Sequence, residues 1–287
     1  MLPVVTNSHL IALLYGPDKP GLVARTSNWI FERGGNIIHA DQHRDERSGV
    51  FFQRIEWVPP EGQLARDAKA FPEFADLLGM NVSLKQSCRK PRVLLMVSKA
   101  SHCFFDFLLR YEAGDMPCDI VGVLSNHPDF EIEVERRGIP FRCIPIQSKT
   151  KDVDEASQLE WISSLNVDLV VMARYMQILS DRFLNQVGCP VINIHHSFLP
   201  AFAGAKPYHQ AHSRGVKLIG ATAHYATAVL DDGPIIHQAV EPVSHRHSVE
   251  DLIRLGRDIE RQVLSQAVRW HLQHRVLSYD NKTVVFG

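Results

Sequence analysis

Apolar and polar positions alternate in short runs over the first ninety residues. Residues 8–15 form an apolar, strand-like run that stops at Gly16-Pro17-Asp18-Lys19-Pro20-Gly21, a turn rich in residues that break regular structure. Leu22, Val23, Thr26, Trp29, Ile30 and Phe31 recur at helical spacing, and Gly34-Gly35 stops that helix. Residues 36–44 and 49–58 read as two strands joined by the polar turn Asp45-Glu46-Arg47-Ser48. Residues 64–78 predict a weaker helix with Pro72 as an awkward interruption, and 81–86 a fourth strand. The order β-α-β-β-α-β is that of a ferredoxin-like α+β unit. The short, basic stretch Ser87-Cys88-Arg89-Lys90-Pro91-Arg92 is the expected boundary, dividing the chain into residues 1–88 and 89–287.

Beyond the boundary the rhythm changes. Val93-Leu94-Leu95-Met96-Val97 is continuously apolar, as a strand covered on both faces must be. Helical patterns at 103–111, 130–137, 153–165 and 181–186 alternate with strands at 119–124, 141–144, 169–173 and 191–195. That alternation predicts a doubly wound, mostly parallel, Rossmann-like α/β sheet with right-handed crossovers. Later strands are expected at 218–225 and 235–243, with antiparallel pairing an open possibility for them. A long amphipathic helix covers 248–274, with Ser248 and Asp251 as its N-terminal cap, and a hairpin turns at Asp280-Asn281.

Composition narrows the class. A chain of 287 residues is long enough to bury a substantial core in one or two domains. A net charge of -1 argues against a broad nucleic-acid surface. The start, Met1-Leu2-Pro3-Val4-Val5-Thr6, lacks the basic and apolar regions of a signal peptide, and no apolar run is long enough to span a bilayer. Five cysteines without a Cys-x-x-Cys predict a reduced, cytoplasmic protein. The histidine pairs at 195 and 196, 209 and 212, and 245 and 247 lack zinc-site spacing, so no metal is expected.

The chemistry concentrates in Asn193-Ile194-His195 and, 36 residues after His195, Leu230-Asp231-Asp232-Gly233-Pro234. Alternation on a strand puts Asn193 and His195 on one face and Ile192 and Ile194 on the other. The carboxyl end of such a strand is where open α/β sheets bind ligands. An amide to donate to an oxyanion, an imidazole to stabilise it or pass a proton, and a carboxylate to orient the imidazole or a water suit acyl transfer from a formamide, without a covalent nucleophile. The plain alternative is a strand whose polar end caps a turn.

The segments Asn193-Ile194-His195-His196-Ser197-Phe198-Leu199-Pro200, Gly220-Ala221-Thr222-Ala223-His224-Tyr225 and Leu230-Asp231-Asp232-Gly233-Pro234-Ile235-Ile236 resemble the 10-formyltetrahydrofolate-dependent formyltransferases and hydrolases. The resemblance spans nearly all of 92–287. It implies catalytic roles for Asn193, His195 and Asp231, and a pterin held by the backbone of Met176, Gln177 and Leu179. His224 and Asp232 become supporting candidates, with a structural histidine and a solvated turn aspartate as the alternatives. His196, Lys206 and His209 flank the catalytic strand, and Cys103 reads as a small buried residue at a helix start.

The N-terminal unit resembles an ACT domain through Gly16-Pro17-Asp18-Lys19-Pro20-Gly21 and Gly34-Gly35-Asn36-Ile37. That implies a homo-oligomer with an amino-acid effector, glycine or methionine, near Asp18, Gly21, Leu22 and Asn36, or else a domain that only joins subunits. In place of a glycine-rich phosphate loop after the first strand of the second domain stands Ser98-Lys99-Ala100-Ser101-His102-Cys103. With no evident amine site, the resemblance points to the hydrolase branch, with a folate substrate, water as acceptor, and no cofactor, nucleic acid or membrane. A transferase acting on an unidentified small amine, and a non-catalytic sensor, remain the competing readings.

Overall fold

The computed structural model describes residues 8–147, 149–200 and 207–287. Lys206, expected beside the catalytic strand, lies outside them. Two compact units emerge: one takes in the described residues up to Lys90 together with His274–Leu277 and Val284–Gly287, the other Pro91–Gln273 and Ser278–Thr283.

The first unit runs β1 (Leu10–Pro17), α1 (Leu22–Glu32), β2 (Asn36–Asp45), β3 (Val50–Val58), α2 (Leu64–Leu78) and β4 (Asn81–Gln86). Its antiparallel sheet has the order β2-β3-β1-β4, the ferredoxin-like arrangement. The helices cover one face. Leu22, Thr26, Trp29 and Ile30 of α1 are buried, whereas Val23 and Phe31, which share its helical spacing, are exposed. α2 continues through Pro72 because Phe71, Ala75 and Leu78 sink into the core on either side of it. Phe71 is the hub, its ring centroid 5.1 Å from that of Trp29 and 4.8 Å from that of Trp57.

The opposite face of β3 buries Phe52 and Arg54. Arg54 Nε donates to the carbonyl of His274 at 2.7 Å, and its guanidinium pairs with Glu56. Burial pulls the Arg54 pKa down, while Glu56 opposes the fall. A guanidinium stays charged inside proteins, so the C-terminal residue His274 supplies part of the solvation that water would give.

The second unit comprises β5 (Arg92–Val97), α3 (His102–Glu112), β6 (Asp119–Ser125), α4 (Glu131–Glu135), β7 (Phe141–Cys143), α5 (Lys151–Ser164), β8 (Leu169–Ala173), α6 (Asp181–Gln186), β9 (Val191–His195), α7 (Pro207–Ser213), β10 (Leu218–Tyr225), β11 (Ile235–Pro242) and α8 (Val249–Leu272). A terminal hairpin follows, β12 (Val276–Tyr279) and β13 (Lys282–Val285). The seven-stranded sheet has the order β11-β10-β9-β8-β5-β6-β7. β7, β6, β5, β8 and β9 are parallel, and β10 is antiparallel to both β9 and β11. β5 and β8 are buried along almost their whole length, as their uninterrupted apolar runs require. α8 starts with a capping box between Ser248 and Asp251. The short helix α7 has no counterpart in the sequence pattern, because only Pro207, Tyr208 and Ala211 of its seven residues are buried and they make too brief a period.

Phe71→Ala is expected to remove about 3–5 kcal/mol of stability from the first unit. Urea denaturation followed by the fluorescence of Trp29 and Trp57 measures it.

Candidate active site

β9 presents Asn193 and His195 on one face. Ile192 and Ile194 are buried in between. β10 lies against β9 in a register that sets His224 opposite Asn193 and Thr222 opposite His195. Thr222 Oγ1 donates to the Ser197 carbonyl at 2.9 Å and accepts from the Leu199 amide at 3.0 Å, which pins the chain just after β9. Gln238 on β11 donates to both Thr222 Oγ1 and the Leu199 carbonyl, at 2.9 and 3.0 Å.

The connection from β10 to β11 folds back to deliver Asp231. Its neighbour Gly233 lies so close to the Tyr225 carbonyl that a Cβ there would overlap it. Tyr225 N–H donates to the Pro234 carbonyl at 3.0 Å, and Asn281 donates to the Asp232 carbonyl at 2.8 Å. Held at both ends, Asp231 adopts a left-handed backbone, φ 57°. Such a conformation costs a non-glycine residue of order 1–3 kcal/mol and persists where surrounding structure enforces it, often at functional sites.

Four side chains converge. His195 Nδ1 is 3.1 Å from Asp231 Oδ2, and His224 Nε2 is 3.7 Å from Asp231 Oδ1. Asn193 Nδ2 is 3.3 Å from His224 Nε2, and His224 Nδ1 is 3.0 Å from the Tyr225 carbonyl. A carbonyl only accepts, so His224 Nδ1 carries the proton and Nε2 accepts from Asn193. Burial keeps the His224 pKa down, consistent with a neutral ring. The Asn193 amide is thereby oriented, with its second N–H left for a ligand. Because an ionised carboxylate only accepts, His195 Nδ1 donates to Asp231. His195 Nε2 is buried and has no partner.

Burial pushes the Asp231 carboxyl up, but the hydrogen bond and charge of His195 hold it below its ordinary value. His196 itself is pulled down to about 4, by burial and then by Arg174, so it is neutral at pH 7.

These groups open onto a cavity of about 500 Å³, lined from 172–179, 193–196 and 224–231 with Leu184. Met176, Gln177 and Leu179 are among the lining residues. Tyr175 and Leu179 anchor the segment inward, the Tyr175 hydroxyl accepting from Gln158 at 2.8 Å. Arg174 and Met176 have left-handed backbones, φ 63° and 60°, which turn the peptide groups between the anchors. Ser180 ends the segment by capping α6 through Phe183 N–H at 3.1 Å.

Asp232 is exposed and does not line the cavity, because the chain turns away after Asp231 to reach Gly233. His209 is exposed on α7, and Cys103 is buried at the start of α3. Of the N-terminal candidates, Leu22 is buried while Asp18, Gly21 and Asn36 are exposed, and Asp18 pairs with Arg44 at 2.7 Å. Among the described residues, one group has metal-ligand atoms close together: His102, Cys103 and Glu260, all within 4.8 Å. Arg174 also sits 3.3 Å from the same Glu260 carboxylate. Sequence reasoning placed Arg174 only in the run 174–179 expected against the folate, and it assigned no role to Tyr208 or Glu260. Their one visible signal is Gly256 inside the α8 pattern, one turn before Glu260.

Residues 91–268 match the family described as Formyl transferase, which sets the class. A formyltetrahydrofolate deformylase of Synechocystis sp. is 52% identical over 283 residues, covering 98% of this chain and 99% of that protein. The crystal structure of a formyltetrahydrofolate deformylase from Pseudomonas syringae pv. tomato superposes with TM-score 0.94 at 44% identity, covering 100% of this chain and 97% of that one. One from Burkholderia mallei gives 0.91 at 40% identity, covering 97% and 99%. The chain belongs to the formyltetrahydrofolate deformylase family.

Asp231 stabilises the fold fully above the ordinary carboxylate pKa, about 3.9, and that contribution is lost as pH falls through its lower folded value. The stability difference between wild type and Asp231→Asn is therefore expected to shrink below about pH 4. Urea denaturation at a series of pH values measures it.

Proposed function

We infer that the protein hydrolyses 10-formyltetrahydrofolate to formate and tetrahydrofolate, with water attacking the formyl carbon directly. The observation that carries this reading is the buried, unpartnered His195 Nε2 on the cavity wall beside Asn193, with Asp231 on the other ring nitrogen. Asp231 takes the proton of the attacking water, directly or through the imidazole. His195 and Asn193 donate to the oxyanion of the tetrahedral intermediate. The C–N10 bond then breaks, N10 takes a proton from His195, and formate leaves. His224 is a positioning residue that orients the Asn193 amide. No covalent nucleophile, cofactor or metal enters these steps.

The folate lies along Met176, Gln177 and Leu179, whose backbone meets the pterin. Residues 89–287 form the catalytic domain, and 1–88 a regulatory or oligomerisation domain. The protein is a cytoplasmic homo-oligomer. Among the described residues no helix is long and apolar enough to cross a membrane. An amino-acid effector, glycine or methionine, sits at Asp18, Gly21, Leu22 and Asn36. Support comes from α1, whose N-cap Gly21 has φ 83° and no capping side chain, leaving first-turn N–H groups for a carboxylate.

Purified protein mixed with 10-formyltetrahydrofolate in amine-free buffer is expected to release formate and tetrahydrofolate in equal amounts. Asp231→Asn and His195→Ala should nearly abolish turnover while the fold persists, and Asn193→Ala should lower kcat about 10²–10³-fold. Normal turnover in Asp231→Asn or His195→Ala would remove the assignment.

A further inference from the structure

β5 is the first strand of the seven-stranded sheet. The chain moves outward from it to β6 and β7, then returns to place β8 on its other side. The crevice above β5 and β8 is thus the topological switch point, the place where open α/β sheets receive ligands. In this protein, side chains fill it. Glu260 of α8 is buried and accepts from His102 and from the Tyr208 hydroxyl, both at 2.8 Å. Arg174 Nε stands 3.3 Å from the same carboxylate.

The packing is built for this cluster. Gly256 interrupts a long helix, and a Cβ there would overlap the Tyr208 hydroxyl. A glycine inside a helix is unfavourable, and here it opens the path by which Tyr208 reaches Glu260. Burial raises the Glu260 carboxyl, but the His102 hydrogen bond and the Arg174 charge hold it below its ordinary value, so Glu260 is ionised with a donor on each carboxylate oxygen, while Arg174 Nε faces it without a hydrogen bond.

The cluster also abuts the catalytic groups. Arg174 and His196 both line the catalytic cavity, and the His196 ring lies 5.2 Å from that of His195 and 6.0 Å from that of Tyr208. Among the described residues, none of 98–103, the segment after β5, lines that cavity. Among the described residues the cavity therefore extends over β8, β9 and the Asp231 turn, with Arg174 of the cluster in its wall.

We propose that His102, Tyr208, Arg174 and Glu260 form a plug in the acceptor half of the active site, admitting water to the formyl carbon and excluding amines. The proposal rests on the hydrolase reading above. With water, a C–O bond forms, the C–N10 bond breaks, and N10 takes a proton as formate leaves. An amine would do the same with nitrogen: a C–N bond forms, the amine gives up a proton through His195 and Asp231, N10 takes one, and a formamide leaves. Amines are better nucleophiles than water, and nothing in the chemistry of Asn193, His195 and Asp231 discriminates against them. Exclusion by shape supplies the selection. Shape discrimination in a pocket is worth about 10–200-fold per small group removed.

The test uses the full-length protein with 10-formyltetrahydrofolate, first alone and then with glycinamide as the probe amine. Formate and N-formylglycinamide are quantified for wild type, His102→Ala, Tyr208→Ala and the volume-conserving Tyr208→Phe. Wild type and Tyr208→Phe are expected to give formate only. His102→Ala and Tyr208→Ala are expected to divert formyl to glycinamide, raising the N-formylglycinamide share at least about tenfold. Truncated variants that turn over but still give formate alone would overturn the plug. So would truncated variants that bind folate and melt normally yet turn nothing over, since the cluster would then support the catalytic groups. Wild type that formylates glycinamide would overturn it too. A wild type that releases no formate before amine is added removes the hydrolase reading, and the plug with it.

Discussion

The pairing of β10 with β9 governs the polar chemistry of the second unit. One antiparallel register sets His224 opposite Asn193 and Thr222 opposite His195. A slip by one residue would turn every side chain of β10 to the other face of the sheet. His224 would lose Asn193, and Thr222 would lose the Ser197 and Leu199 backbone it ties down. The same strand leads into the turn that carries Asp231, so the carboxylate, the imidazole and the amide all inherit their positions from one ladder. Inter-strand hydrogen bonds are stiff, and they place catalytic groups more accurately than loops alone can.

The second unit treats its buried polar atoms in two ways. Around Glu260 each carboxylate oxygen has a donor. Around His195 one ring nitrogen is satisfied by Asp231 and the other is left open. A buried donor or acceptor without a partner costs about 1–3 kcal/mol. The second unit carries that cost at His195 Nε2 on the cavity wall, and also at Asn126 Oδ1, Gln158 Oε1 and Arg269 Nε. Strain has the same distribution: three of the non-glycine residues with left-handed backbones, Arg174, Met176 and Asp231, line the cavity.

Much of this is legible in the sequence. Buried strands announce themselves as unbroken apolar runs, and the alternation of Asn193 and His195 with Ile192 and Ile194 assigns the two polar residues a common face. Asp231 is readable from its turn and from the family resemblance. Asp232 is harder to read because neighbouring aspartates look alike in sequence, and only the backbone direction separates them. The grouping of Tyr208, Arg174 and Glu260 leaves no mark but Gly256, because they come from three distant elements. Glu260 lies in a helix crowded with charges, where one buried acid among exposed ones leaves no periodic trace. α7 is too short to show a period. Phe31 and Val23 fit the helical spacing but fall at its edge, where periodicity does not distinguish buried from exposed.

The bond from Arg54 to the carbonyl of His274 links residues 220 positions apart. During synthesis the N-terminal sheet leaves the ribosome long before residue 274 does. At the pace of translation, about 5–20 residues per second, that interval is on the order of ten seconds or more. Throughout it, a guanidinium destined for burial lacks one of its acceptors, and the face of β3 that holds Phe52 and Arg54 stays open to solvent and to other chains. The unit made first is thus finished last. Until the end of the chain arrives, that face is exposed surface of the kind that makes incomplete chains prone to aggregate.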